Sequence, residues 1–239
     1  MTALPLSSSE SAEPGLAPLR PGTKLYDLLF GLPLIVWYGI GFVVQAPMLV
    51  RALATIASAH PDPLLLIDAL AKGAALAFAA VLIGLVAIRR PATSGARGFV
   101  PKAVAFFGAF LGIVILTLPH QPVGWPLQLL STLLIFGGMG FAVYALLWLG
   151  RSISVMSEAR RLVTGGPYAY VRHPLYLGEE LALVGITLQF LSPAAVAVLA
   201  LQVIFQLNRM RYEEQVMREA FPDYAEYAAR VKRLIPGLY

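Results

Sequence analysis

The chain has 239 residues, 58% of them hydrophobic and 13% charged. Soluble domains are about 25% charged, so this composition excludes an ordinary soluble protein and points to a polytopic membrane protein. With no cysteine there is no disulfide framework, no thiolate nucleophile and no cysteine metal site. The formal net charge of +5 reads as basic loops facing anionic lipid, not as a nucleic-acid surface.

Residues 1–22 are rich in Ser, Pro, Ala and Gly with no apolar period, and are expected to form a disordered tail. They do not read as a signal peptide, because no apolar core follows a basic start. Residues 23–149 then hold four apolar runs long enough to cross a bilayer: Leu25 to Val50, Leu64 to Ile88, Phe99 to Leu118 and Pro126 to Leu149. Pro33 and Pro47 lie inside the first. Asp68 and Lys72 in the second are one helical turn apart and can pair. Gly137, Gly138 and Gly140 in the fourth suit close helix approach. Lys and Arg alternate between loops: the 89–102 and 150–173 segments are basic, and 119–126 carries none. This pattern predicts that the N-terminus and the 150–173 segment are cytoplasmic.

The densest polar cluster is TGGPYAYVRHPLYLGEE at 164–180. Pro174 suits the first position of a helix. Gly165 to Arg172 therefore reads as a loop, and His173 stands at a helix N-terminus that can seat an anion. Two shorter runs, Leu175 to Leu191 and Pro193 to Leu207, are expected to form a helical hairpin (175–207) within a distinct region, 150–239. A polar segment, NRMRYEEQVMREAF, follows. Tyr224, Tyr227, Ala228 and Val231 recur at helical spacing and predict an amphipathic cytoplasmic tail helix. The fold class is thus all-α: a polytopic membrane bundle of four spanning helices, a C-terminal hairpin and a tail helix.

A hairpin brings its ends together. Arg172, His173, Tyr176, Glu179 and Glu180 are therefore expected to meet Arg209, Arg211, Glu213 and Glu214 in one cytoplasm-facing pocket. Ionisable residues at such a boundary are costly and suggest function. His173 can act as a base, as a hydrogen-bonding anchor for a cofactor, or as a simple helix cap. As a metal ligand it lacks companions at ligand spacing, and no metal is expected. The Glu213-Glu214 pair can equally be a solvated helix face, and the tyrosines an interfacial belt. Gly165-Gly166 is not a dinucleotide fingerprint.

The set RRLVTGGPYAYVRHPLYLG, then R-x-R-x-E-E, then FPDYAEY and RLIP, resembles the isoprenylcysteine carboxyl methyltransferase family and its relatives, the integral-membrane phospholipid N-methyltransferases. The likeness covers roughly residues 150–239. It implies S-adenosylmethionine as cofactor. By that resemblance the cofactor pocket takes in Arg160, Arg161, Leu162, Val163, Tyr168, Arg172, His173, Pro174, Leu175 and Tyr176, with Glu213 and Glu214. An arginine before the glutamates, Arg209 or Arg211, would face the substrate, and Glu213 joins them as a catalytic candidate. Arg160 departs from the family, whose members often have histidine there.

The implied reaction is methyl transfer to a lipophilic substrate that enters from the bilayer, among membrane lipids. Carboxyl O-methylation of an isoprenylcysteine-like molecule is the first expectation. A phospholipid amine or a small thiol is the alternative acceptor. Two other classes remain: a nicotinamide-dependent membrane reductase, since sterol reductases carry a similar R-H-P-x-Y-x-G-E stretch, and a non-enzymatic membrane scaffold.

Overall fold

The computed structural model describes residues 24–58 and 63–237. The expected N-terminal tail and most of the first extramembrane loop lie outside the described residues. Seven α-helices follow in order: α1 (Lys24–Ser58), α2 (Pro63–Ile88), α3 (Phe99–Phe110), α4 (Trp125–Leu149), α5 (Pro174–Gln189), α6 (Pro193–Ala220) and α7 (Tyr224–Arg230). Among the described residues, five helical segments are long and apolar enough to cross a membrane: 29–58, 63–88, 99–117, 125–152 and 193–220. The all-α membrane bundle predicted from the sequence is the observed architecture.

Three boundaries differ from expectation. The helix α1 continues to Ser58 through both prolines, which a membrane helix tolerates when neighbours satisfy the freed groups. The third run changes at Leu111 from α-helix to a 3-10 turn ending at Thr117. There Gly112 lies against Leu183, whose side chain would have to shift to admit a Cβ at that position.

The last difference matters most. The hairpin arms are unequal: α5 has 16 residues, whereas α6 has 28 and carries the NRMRYEEQVMREA stretch as its own C-terminal half. The polar segment is thus a continuation of the membrane helix. The tail helix proper is only α7, with Tyr224 and Tyr227 buried.

The closest helix pair is α4 against α5. A Cβ on Gly138 would fall 2.6 Å from the Gly178 carbonyl oxygen, and one on Gly185 would fall 2.6 Å from that of Ser131. Ala142 and Ala182 continue the same contact, so small residues let the two backbones touch. Gly137 and Gly140, in contrast, face open space.

At one end of the bundle the 89–98 and 150–163 segments are joined. The short strands β1 (Ser94–Gly95) and β2 (Glu158–Ala159) pair antiparallel. Asp27, Arg89, Glu158 and Arg160 form a buried charge cluster beneath them, with the Arg160 guanidinium 2.6 Å from both Asp27 and Glu158. The start of α1, the end of α2 and the 150s therefore share one face, as the charge alternation requires. The opposite end is tied by the Gln121 amide donating to the Gln189 carbonyl.

Candidate active site

The Gly165-Gly166 loop is built on Trp148. Gly166 has φ +59°, and any Cβ there would run into the indole. Glycine is the residue that meets both demands. The chain then turns through a 3-10 stretch, Gly166–Ala169, into His173 and the first turn of α5. Pro174 is fully buried at that turn. No side chain caps the N-terminus of α5, which leaves its first amides available to an anion.

The end of the chain closes over this turn. The Arg172 and His173 amides donate to the Lys232 and Arg233 carbonyls. The Arg172 guanidinium donates to the carbonyls of Ala228 (2.7 Å) and Val231 (2.6 Å), and the Tyr227 hydroxyl to that of Tyr168 (2.6 Å). Glu214, buried on α6, gathers Arg172 (3.0 Å), His173 (3.2 Å) and Arg233 (2.9 Å) on its Oε1. One carboxylate thus fastens the motif loop, α6 and the C-terminal strap, residues 224–233, together.

Glu213 has a different job. It accepts from the Tyr176 hydroxyl and from Arg209 Nε at 3.2 Å. Arg209 is buried, donates to the Val155 carbonyl, and lies 4.8 Å over the Tyr176 ring. His173 stacks on the same tyrosine, ring centroids 5.5 Å apart.

Two cavities meet here. A polar cleft of about 110 Å³ is lined by Glu158, Arg160 to Val163, Tyr168, Arg172, His173, Leu175, Tyr176, Glu213, Glu214 and the strap tyrosines 224 and 227. A larger, mostly apolar chamber of about 510 Å³ lies deeper in the bundle. Glu179, Glu180, Gln202, Gln206 and Arg209 are the polar groups on its wall near the cleft. Ser154, Leu175 and Tyr176 line both cavities.

The single expected pocket is therefore two. Arg172, His173, Tyr176, Glu213 and Glu214 belong to the cleft, while Glu179, Glu180 and Arg209 belong to the chamber. Arg211 is exposed, outside both, and donates to Asn208. Arg209, not Arg211, thus faces the interior. Pro174 supports the cleft from behind without lining it. Arg160 reaches the cleft wall, but its guanidinium is committed to Asp27 and Glu158. Gln202 and Gln206 were not picked out in the sequence. Their spacing of four within an apolar run was the available signal.

Burial pushes the Tyr168 phenol well above its ordinary range, and Tyr227 up to about 12. Both stay protonated, which keeps the Tyr227 donor in place. Burial also raises Glu158, against the opposing pull of Arg160. Among the described residues no group of three or more His, Cys, Asp or Glu could hold a metal ion.

The donor set fits S-adenosylmethionine. The uncapped start of α5 and the exposed Arg161 suit its carboxylate, and Glu213 suits its hydroxyl or ammonium groups. Glu158 Oε1, buried in the cleft wall without a partner, can accept one more donor. The cleft, at about 110 Å³, is smaller than common ligand pockets, which measure about 300 Å³ or more.

Fold and site together define a polytopic helical membrane protein with a polar ligand cleft opening onto a lipophilic chamber. Residues 127–224 match the phospholipid methyltransferase family. The chain is 37% identical over 115 residues to a cobalt-zinc-cadmium resistance protein of Cupriavidus metallidurans, covering 48% of this chain and 52% of that protein. It is 32% identical over 102 residues to a nickel-cobalt-cadmium resistance protein of Alcaligenes xylosoxydans, covering 42% and 47%. It is 34% identical over 99 residues to protein-S-isoprenylcysteine O-methyltransferase B of Arabidopsis thaliana, covering 38% and 50%. The chain spans about half the length of the curated relatives it matches.

Proposed function

We propose that this protein is an S-adenosylmethionine-dependent methyltransferase acting on a lipophilic acceptor, with the cleft on the cytoplasmic face. The observation that carries the reading is the partition at Tyr176. A polar cleft and an apolar chamber meet at Tyr176, with Ser154 and Leu175 beside it, the arrangement needed to bring a water-soluble donor and a lipid-soluble acceptor together. The bound cofactor supplies an electrophilic methyl group on a sulfonium. The protein's part is to align the two molecules and keep water out, which can lower the barrier substantially without a base when the acceptor is already a nucleophile.

An isoprenylcysteine-like carboxylate is the first acceptor to test, with Arg209 as the group that would hold it. The relative from Arabidopsis and the buried guanidinium on the chamber wall both support this. A second reading, an amine-bearing lipid, is favoured by a specific observation. Gln202 donates to the Gly108 carbonyl (2.6 Å), while Glu180 Oε2, Gln202 Oε1 and Gln206 Oε1 remain buried without donors. Such acceptors call for a hydrogen-bond donor on the ligand.

The test is transfer of isotope-labelled methyl from S-adenosylmethionine to N-acetyl-S-farnesylcysteine and, separately, to phosphatidylethanolamine. Base-labile label marks a methyl ester; base-stable label on the second marks N-methylation. Failure with both, in protein that binds the cofactor, would remove both acceptors.

A further inference from the structure

The chamber extends far beyond the place where a methyl group could be transferred. Each helix around it contributes a lengthwise stripe. On α5 the stripe runs from Leu175 to Gln189, and on α2 from Leu82 back to Asp68. Each covers 15 residues, a rise of about 21 Å along the helix. Leu34, Leu82 and Leu175 lie in one apolar cluster at the cleft end. The chain directions of α1, α2 and α5 then place Gln45, Asp68 and Gln189 together at the far end. The space is long and narrow with mainly apolar walls, a shape that fits one extended hydrocarbon chain.

At the far end stands an ion pair, Lys72 with Asp68, one turn apart on α2 and both on the chamber wall. Their side chains keep 26% and 42% of their exposure. Charges at this depth are costly to strip of water, and a hydrocarbon tip offers nothing in return. A chain that fills the chamber gains apolar burial with each methylene until it reaches the pair, and gains nothing beyond. We infer that the Asp68–Lys72 pair is the end stop of the chamber and sets the longest chain that this protein accommodates. The inference rests on the chamber being the acceptor site.

The test uses homologous series of S-alkyl-N-acetylcysteines and of straight-chain alkylamines, with binding to the purified full chain measured without cofactor. Wild-type affinity should rise about fourfold per added methylene and then level off at a limiting length. Replacing the pair with Asp68→Leu and Lys72→Leu together should move that limit to longer chains. Ala75→Phe, one turn closer to the cleft, should move it to shorter ones. A limit that stays at the same length in both variants overturns the inference, as does a wild type that binds no member of either series. A limit that shifts as described in protein that transfers no methyl group would uphold the end stop and sink the proposed activity instead.

Discussion

Arg209 holds its guanidinium 4.8 Å over the ring of Tyr176, and the two side chains share one acceptor, Glu213. This closed arrangement forms the wall between cleft and chamber. Arg209 lines only the chamber, whereas Tyr176 lines both sides. Arg209→Lys keeps the charge but loses the planar fork and the stacking. It should lower methyl transfer about tenfold or more, a loss of about 1.4 kcal/mol, while cofactor affinity stays close to wild type. Parallel losses in both would mean that the arginine belongs to the cleft.

Glu214 is the fastening point of the strap. Glu214→Ala would leave Arg172, His173 and Arg233 without their common carboxylate. Breaking a buried pair this way costs about 3–5 kcal/mol, so thermal unfolding should shift markedly downward and cofactor binding should weaken, with membrane insertion retained. Unchanged melting and unchanged cofactor affinity would show that the strap is held by its backbone bonds alone.

The α4–α5 contact leaves no room for side chains at its glycines. Gly178→Leu should prevent a stable bundle, because the new atoms would meet the Gly138 carbonyl and the Ala142 backbone, and even modest overpacking costs about 1–3 kcal/mol. Gly137→Leu faces open space and should be tolerated. Expression and size-exclusion profiles of the two variants give the comparison.

Burial raises the folded-state pKa of Glu158 above its ordinary value. The folded state therefore favours the protonated form. Its contribution to stability is fully present below the ordinary carboxylate range and is lost as pH rises through the raised value. Relative to Glu158→Gln, which cannot titrate, the wild-type protein should be most stable at the acid end and lose ground as pH increases. A difference in melting temperature that is flat across that window would show that Arg160 offsets the burial completely.

The first four spanning segments were legible because apolar runs of about twenty residues or more have few other readings. Pro174 and the glycines of the motif loop were legible for local steric reasons. The length of α6 was not: the charges at 209–219 end the apolar run, while the helix continues because nothing in that stretch breaks it. The β1–β2 pairing was equally hidden, since two residues on each side carry no periodic signal. The division of the polar residues into cleft and chamber depends on helix rotation. Glu213 and Glu214 are adjacent in sequence, yet one serves the partition and the other the strap.

The proposed methyl transfer requires the cleft to hold S-adenosylmethionine. Calorimetric titration of the purified protein with that cofactor, with a reduced nicotinamide dinucleotide as the parallel ligand, tests this directly. Saturable binding of S-adenosylmethionine alone, weakened in Glu213→Ala, is the predicted result. Saturable binding of the nicotinamide dinucleotide alone would contradict the account and make the protein a reductase.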